Sequence, residues 1–492
     1  MIQIEKLTFS YGEKPLYEEV SFIVGKGQKI GLVGPNGSGK STLLKILTGR
    51  EDGYKGKVKV TGNFALVPQE VKHDPVMEAS ESVRSYIDPN HDYEDFELLK
   101  FMSGLELKTE LSASPKGHSG GQKTKLALAR ALLSKPDILF LDEPTNFMDV
   151  AGKKWVMDFL SNYSGSVIVI SHDLDLMDRA IDKVLAVNPI VRKIEEYKGN
   201  YSDFVKLKKE KDALLKREII VKQKHIKQME EGLKKMARFT SEKGARRRTQ
   251  QKRRIEKEKA ALPELPAEIR KITVNLPEPA RIGELVIKVS NVSKSYGDLS
   301  VLKNVSFSLL RGEKIAFIGP NGVGKSTLIK IVMDMIEKDN GEVFKSDQIK
   351  VGYYSQEFET FDFSKMVIKA FMDETNKDED FARSFLGRYM FLGDKVFQRI
   401  ESLSGGEKTR LSIAMLTARD NNLLILDEPT TYLDVMSQKV ILEALKEYKG
   451  SMILVSHTPE FVKDMKPQKA LIFPEEKMLI WDDDILDKVS ET

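Results

Sequence analysis

The chain contains no cysteine and only six histidines, and no stretch reaches the roughly 18 consecutive apolar residues that a membrane-crossing helix needs. The missing thiols exclude disulfides, thiolate zinc sites, cysteine-held iron–sulfur clusters and cysteine nucleophiles. The missing apolar run excludes a helical membrane channel. The opening MIQIEKLTF has no basic segment followed by an apolar one, so no secretory signal is read and the cytoplasm is the expected compartment. At 492 residues the chain exceeds one hydrophobic core; roughly 150 residues per domain gives about three units, with two large ones also allowed. Its 41% hydrophobic and 31% charged residues suit a globular protein.

What is present is a repeat. GPNGSGKST begins at Gly34 and GPNGVGKST at Gly319, 285 residues later. The same offset separates Tyr11 from Tyr296, Ser119 from Ser404, Asp142 from Asp427, Glu143 from Glu428 and His172 from His457. The chain is therefore a duplicated domain. Gln69 and Gln356 stand 287 apart, so the second copy gains two residues before its glutamine and loses them before Ser404. Neither half carries a large insertion there.

Within each copy, short β-rich runs alternate with helical patterns. Lys29 to Val33 and Lys314 to Ile318 read as buried strands entering the glycine loops, and Ile138 to Leu141, Leu423 to Leu426, Val167 to Ile170 and Met452 to Val455 as further strands with polar residues at their ends. Such alternation implies an α/β fold with a mainly parallel sheet, whose ligands gather at the carboxyl ends of the strands. The expected organisation is two P-loop nucleotide-binding domains in tandem, 1–200 and 281–492, joined by a helical linker over 201–280.

That linker differs in kind from its flanks. From Lys206 to Lys259 there are 21 Lys plus Arg against 8 Asp plus Glu, a net of +13, whereas the whole chain is only +4 and the remainder −9. Apolar residues at Leu215, Ile219, Ile226, Met229, Leu233 and Met236 follow a 3/4 spacing that Lys222 interrupts, which predicts one long amphipathic helix. A helix from Tyr201 to Phe239 would be about 55 Å long at 1.5 Å per residue. Gly244 is the expected turn, and Ala245 to Leu262 a second helix stopped by Pro263 and Pro266.

The glycine loops carry the strongest chemical signal. In G-x-x-x-x-G-K-[ST], glycines let consecutive backbone N–H groups turn inward onto phosphate oxygens, a lysine reaches the β and γ phosphates, and a hydroxyl is offered to Mg²⁺. The candidate residues are Gly34, Asn36, Gly37, Gly39, Lys40, Ser41 and Thr42 in one loop and Gly319, Asn321, Gly322, Gly324, Lys325, Ser326 and Thr327 in the other. Chance would yield the pattern about 0.02 times in a chain this long at average residue usage. Two occurrences at the repeat offset, each after an apolar strand, point to nucleotide phosphates.

LFLDE ending at Glu143 and LILDE ending at Glu428 place two carboxylates at a strand end. Asp142 and Asp427 suit Mg²⁺ through its water shell, while Glu143 and Glu428 can polarise an attacking water. His172 and His457, at matching positions after a strand, can hydrogen-bond toward a γ-phosphate. HSGGQ at His118 to Gln122 and LSGGE at Leu403 to Glu407 each precede a helical pattern. There Ser119, Gly120, Gly121, Ser404, Gly405 and Gly406 offer either a second anion-binding surface or only a turn and cap.

These motifs, in this order and twice over, resemble the ABC ATPase superfamily across about 400 of the 492 residues. The resemblance implies two ABC-type domains working as an intramolecular dimer in a monomeric chain, with ATP and Mg²⁺ as cofactors. ATP on Gly34 to Thr42 would be closed by Leu403 to Glu407, and ATP on Gly319 to Thr327 by His118 to Gln122. It also assigns Tyr11 and Tyr296 to adenine stacking and adds Gln69 and Gln356 to the metal-binding set of Ser41, Asp142, Ser326 and Asp427.

YKGNYSDF at Tyr197 to Phe204, the charged linker, LSGGEKTRL and DEPTTYLD look like the ABC-F subfamily. Its members bind ribosomes at the tRNA exit site and point the linker hairpin toward the peptidyl-transferase centre. The implied partners are ribosomal RNA and tRNA, and no transmembrane domain belongs to the chain itself. Arg238, Lys243, Arg246, Arg247, Arg248, Lys252, Arg253 and Arg254 then become candidates for RNA phosphate contacts. Two departures stand out: His118 replaces the usual leucine of the signature and Gln122 its acidic residue. The ending WDDDILDKVSET fits the shorter branches, which include both translation factors and antibiotic-resistance proteins. The alternative function is a fused ATPase subunit energising the separate permease of an importer, which leaves the basic hairpin without a task.

Overall fold

In the computed structural model of the chain, the described residues are 1–12, 14–35, 37–69, 71, 74–146, 148, 150–236, 242–260, 277–297, 299–355, 358, 361–429, 435–456, 459–482 and 485. They form two compact units, one of residues 1–66, 136–140 and 163–271 and the other of 67–135, 141–162 and 272–492.

The first unit is built on a six-stranded sheet in the order Phe64–Val67, Ile138–Asp142, Ser166–Ile170, Lys29–Val33, Lys183–Asn188, Lys193–Lys198. Lys29–Val33 pairs in parallel with both neighbours, and Lys193–Lys198 closes the edge antiparallel. Ile138–Asp142 and Ser166–Ile170 are buried at every position, as strands covered on both faces must be. The second unit repeats this arrangement in the order Val351–Tyr354, Leu423–Asp427, Ser451–Val455, Lys314–Ile318, Lys469–Ile472, Lys477–Ile480, the first five parallel. The strands expected from the sequence agree with these bounds to within a residue.

A three-stranded antiparallel sheet accompanies each parallel one and is not legible in the sequence. Its order is Lys14–Val24, Ile2–Tyr11, Lys55–Val60 in the first unit and Leu299–Leu310, Leu285–Tyr296, Asn340–Lys345 in the second. The reason is a bulge. Ile2 and Ile4 face inward, then the register shifts, and Leu7 and Phe9 face inward, so the two-residue alternation changes phase mid-strand. Lys6 takes φ 49 at that point and its N–H donates to the Ser21 hydroxyl; Asn291, at φ 53, does the same to Ser306. Gly56 and Gly341 allow the neighbouring strand to close on the bulge, since a Cβ on either would lie 2.4 Å from the carbonyl oxygen of Lys6 or Asn291. In the first unit Ile4, Leu7 and Phe9 share one core with Leu43 and Leu47 of helix Lys40–Leu47 and with Ile30, Phe140 and Ile168 of the parallel sheet. The phosphate loop therefore springs from a rigid floor.

The linker forms helices Tyr201–Met236 and Glu242–Ala260. The first has 36 residues, about 54 Å. Its base is fixed by the Phe204 ring standing edge-on to Tyr197 at 5.0 Å and by Lys211, which reaches Glu195 at 2.5 Å. Burial would raise the Glu195 carboxyl, but Lys211 and the Tyr197 hydroxyl outweigh it and hold it below the usual carboxylate range. Ile226, Met229 and Ile255 pack with Leu233 into a small core between the helices, and Lys222 pairs with Glu218 at 2.7 Å instead of breaking the helix. The expected turn at Gly244 is corrected, because Gly244 lies inside Glu242–Ala260. One helical glycine costs only about 1 kcal/mol against alanine, and the Glu, Lys, Ala and Arg around it are strong helix formers. Phe239, Leu262, Pro263 and Pro266 lie outside the described residues.

With so small a core, Ile255→Ala should cost about 2 kcal/mol locally. Hydrogen exchange of the amides of Glu242–Ala260 should accelerate while those of Lys314–Ile318 stay unchanged, and equal acceleration in both would contradict an independent hairpin.

Candidate functional site

The second half shows how the fold assembles the site. Four parallel strands lie side by side, and the carboxyl end of each leads to a sequence motif: Val351–Tyr354 to Gln356, Leu423–Asp427 to Glu428, Ser451–Val455 to His457, and Lys314–Ile318 to Gly319. Gln356 and His457 themselves lie outside the described residues. Asp427 and Phe317 both pair with Val455, so the acidic strand and the loop strand end level with each other. With one strand between them they are about 10 Å apart, at roughly 4.8 Å per strand. That gap admits a phosphate, a cation and a water.

The loop beside the gap is shaped for anions. Gly324 precedes helix Lys325–Val332 at φ 100, and a Cβ there would lie 2.8 Å from side-chain carbons of Val301 and Leu302. The loop can thus sit close against the antiparallel sheet, beside the positive N-terminal end of the helix. Lys325 is 7% exposed, and its Nζ donates to the carbonyls of Gly319 at 2.8 Å and Pro320 at 2.6 Å, which holds the ammonium over the loop. Ser326 and Thr327 occupy the first helical turn, Asn321 is half-buried and Gly322 exposed.

The first half keeps the same local plan. Lys40 is buried, and its Nζ donates to Gly34 O at 2.8 Å and Pro35 O at 3.2 Å. Gly39 also takes φ 100, and the fully buried Tyr17 donates its hydroxyl to Gly39 O at 2.8 Å. Gly37 and Ser41 are exposed and Thr42 half-buried, while Asn36 lies outside the described residues. Tyr17 escapes a reading of the sequence. Its counterpart by the repeat is Leu302, so the duplication gives no signal.

The paired carboxylates are buried in both halves, Asp142 at 7% and Asp427 at 3% exposure, Glu143 and Glu428 at 5%. Both glutamates take φ 53, a left-handed conformation that costs a non-glycine residue about 1 kcal/mol or more. In the second half the bond from Glu428 N–H to Val455 O at 3.0 Å anchors that turn. Gln69 and His172 are half-buried just beyond Phe64–Val67 and Ser166–Ile170. The oxygen donors available, Ser41 and Asp142 in one half and Ser326 and Asp427 in the other, are the hard ligands that Mg²⁺ takes.

Tyr11 and Tyr296 end their strands with rings 46% and 49% exposed, free to receive a base on one face. Their surroundings differ. Tyr11 donates to Glu51 at 2.6 Å, and this bond, with some burial, raises its phenol above the usual value. Tyr296 instead has the Lys294 ammonium 5.5 Å from its ring centre, held by Asp339 at 2.9 Å.

Both signature segments are capping boxes at helix starts. Ser404 caps helix Gly405–Thr417 by accepting from Glu407 N–H, while its own N–H and hydroxyl donate to the Glu407 carboxylate at 3.1 and 3.0 Å. Burial alone would push this carboxyl up, but Lys395 at 2.7 Å and the Ser404 donors hold it below the usual range. Ser119 caps helix Gly120–Leu133 in the same way against the neutral Gln122 amide. Gly120 is exposed, Gly121 and Gly405 are half-buried and Gly406 is buried. Leu403 is buried in the core, whereas His118 turns its Nε2 to the Thr109 hydroxyl at 2.9 Å. An incoming phosphate meets a charged box on one signature and a neutral one on the other.

Of the basic residues singled out on the linker, Lys252, Arg253 and Arg254 are exposed on Glu242–Ala260. Lys243, Arg246, Arg247 and Arg248 belong to the same helix, with side chains outside the described set; Arg238 lies outside it altogether.

A sequence model of the ABC transporter family matches residues 17–146 and 302–431, and a second of the same description matches 191–274. The chain is similar to the ATP-binding protein YdiF of Bacillus subtilis (strain 168), 32% identical over 94% of this chain and 78% of that one. It is also similar to ABC transporter F family member 5 of Arabidopsis thaliana, 30% identical over 94% of this chain and 74% of that one. Its fold is shared with the archaeal ribosome recycling factor aABCE1, solved in complex with the archaeal ribosomal stalk protein aP1. That likeness has a TM-score of 0.63 and 21% identity over 96% of this chain and 89% of that one.

Glu407→Gln tests the charged capping box. Because the folded carboxyl titrates below its ordinary value near 4.5, its stabilisation is complete above that value and lost as the pH falls through the depressed one. The variant should be about 1 kcal/mol less stable at pH 7, and its thermal midpoint should converge on the parent's as the pH falls through the depressed value.

Proposed function

The chain belongs to the ABC transporter family and, within it, to the F family of tandem ABC ATPases; on that premise we propose that it is a Mg²⁺-dependent ATPase that acts on translating ribosomes at the tRNA exit site. The observation carrying this reading is the linker: a hairpin of net charge +13, set between two ATP-binding domains in a chain whose remainder sums to −9. Localised positive charge on a long helix pair suits RNA phosphates, and it would be idle in the ATPase subunit of an importer. Among the described residues no helix is long and apolar enough to cross a membrane.

In this reading the inward N–H groups of Gly34 to Thr42 and Gly319 to Thr327 bind the phosphates, with Lys40 and Lys325 neutralising the β and γ oxygens. Tyr11 and Tyr296 stack on the bases. Ser41, Gln69 and Asp142 in one half, and Ser326, Gln356 and Asp427 in the other, would hold Mg²⁺, which when bound would neutralise further phosphate charge. Glu143 and Glu428 orient and polarise the attacking water, and His172 and His457 hydrogen-bond the γ-phosphate. ATP binding draws the signature serines onto the nucleotide of the opposite half, and the closed form sets the hairpin against ribosomal RNA or tRNA. Hydrolysis releases it. Whether the biological outcome is a housekeeping step of translation or protection from a drug is a question for the ribosomal state that is bound.

Glu143→Gln together with Glu428→Gln should hold the closed form and leave the protein cosedimenting with ribosomes in ATP, where the parent is mostly free. A double variant that binds ATP yet sediments apart from ribosomes refutes the partner. Replacing Lys252, Arg253 and Arg254 by alanine should flatten the salt dependence of ribosome binding by about two to three units of log–log slope, at roughly 0.7–0.9 for each phosphate no longer neutralised.

A further inference from the structure

Away from the phosphate loops, the first half contains a buried ion pair between Glu106 and Lys125. Glu106 follows helix Asp95–Gly104 in the left-handed region, at φ 55. Its Oε2 accepts from Lys125 Nζ at 2.8 Å and its Oε1 from the backbone N–H of Gly152 at 2.8 Å. The two side chains are only 7% (Lys125) and 14% (Glu106) exposed. Lys125 stands on Gly120–Leu133, the helix that the signature serine caps. Gly152 is the third residue of Val150–Asn162, the helix that begins seven residues after Glu143. One carboxylate thus neutralises the signature helix and caps the start of the helix behind the catalytic strand, where the helix dipole favours negative charge.

The contact needs its glycine. A Cβ on Gly152 would lie 2.3 Å from Glu106 Oε1. Alongside, a Cβ on Gly104 would lie 2.3 Å from Trp155 Nε1, so helix Asp95–Gly104 also closes on Val150–Asn162 through the indole, which meets Phe101 edge-on at 4.8 Å. In the second half Met390 holds the matching backbone place: φ 68 after helix Glu379–Arg388, with its N–H on Gly387 O as Glu106 N–H is on Ser103 O. Its side chain is a thioether, 39% exposed. At this backbone place the first half carries a carboxylate and the second a thioether.

We propose that Glu106 is a positioning residue for ATP hydrolysis, fixing the signature helix and the helix that follows Asp142 and Glu143 as one body so that the signature and the catalytic glutamate of the first half move together. The inference rests on the reading of the chain as an ATPase. Removal of the carboxylate leaves the Lys125 ammonium buried without this partner and takes away the bond from Gly152 N–H, and both changes loosen the link between the two motifs.

The test uses the full chain and steady-state ATP hydrolysis, at temperatures where circular dichroism shows each variant folded. Glu106→Gln should lower kcat about tenfold, equivalent to about 1.4 kcal/mol, with KM for ATP within twofold. Gly152→Ala keeps both charges but drives the carboxylate off the helix, and should reproduce the kcat loss even if the first variant folds poorly. Glu106→Gln with Lys125→Met removes the stranded charge; it should recover the thermal midpoint and leave kcat low. Unchanged kcat per folded molecule in the single variants, or a double variant that restores midpoint and kcat together, overturns the proposal and leaves the ion pair purely structural. Glu143→Gln with Glu428→Gln serves as the separate control: hydrolysis at the parental rate there refutes the ATPase reading itself.

Discussion

The hydrogen bonds of a parallel sheet govern everything else in this molecule. Because Lys314–Ile318 lies next to Ser451–Val455, and that strand next to Leu423–Asp427, the phosphate loop, the segment before His457 and the acidic pair leave the sheet at one edge and at one level. No single side chain sets that arrangement. It follows from pairing, and it puts an ammonium and a helix start on one side and two carboxylates on the other side of a gap of about 10 Å. The accompanying antiparallel sheet then braces the loop, through Val301 and Leu302 against Gly324 and through Tyr17 against Gly39.

Duplication has preserved the backbone more strictly than the chemistry. The bulges at Lys6 and Asn291, the left-handed glutamates Glu143 and Glu428 and the glycine caps Gly39 and Gly324 recur with nearly equal dihedral angles. The side chains around them diverge. Tyr11 leans on Phe9 and Glu51, whereas Tyr296 carries Lys294 and Asp339. One signature serine shares its box with a charged Glu407 held by Lys395, the other with the neutral Gln122. Glu106 clamps two helices at a place where the second half has the thioether of Met390. The two halves thus share one backbone plan and differ in the charges set around it.

The hairpin obeys another balance. Its described core is Ile226, Met229, Leu233 and Ile255, too small to be rigid by burial alone, and its base is fixed by Tyr197, Phe204, Glu195 and Lys211. Most of its surface is cationic and wet.

The amino-acid sequence by itself determined the duplication, the strand–helix alternation that makes an α/β fold, and the phosphate loops, because local spacing of glycine, lysine and apolar residues states those features within a few residues. It concealed the antiparallel sheets, since a bulge at Lys6 or Asn291 inverts the inward-facing phase halfway along the strand. It also misplaced the hairpin turn, because the one helical penalty of Gly244 is smaller than the preference of its neighbours. Tyr17 under Gly39, Lys395 beside Glu407, and Glu106 between Lys125 and Gly152 were decided only by tertiary structure. Each of these joins residues 12 to 46 positions apart along the chain, and a charge or hydroxyl shows its partner only when folding has removed the water between them.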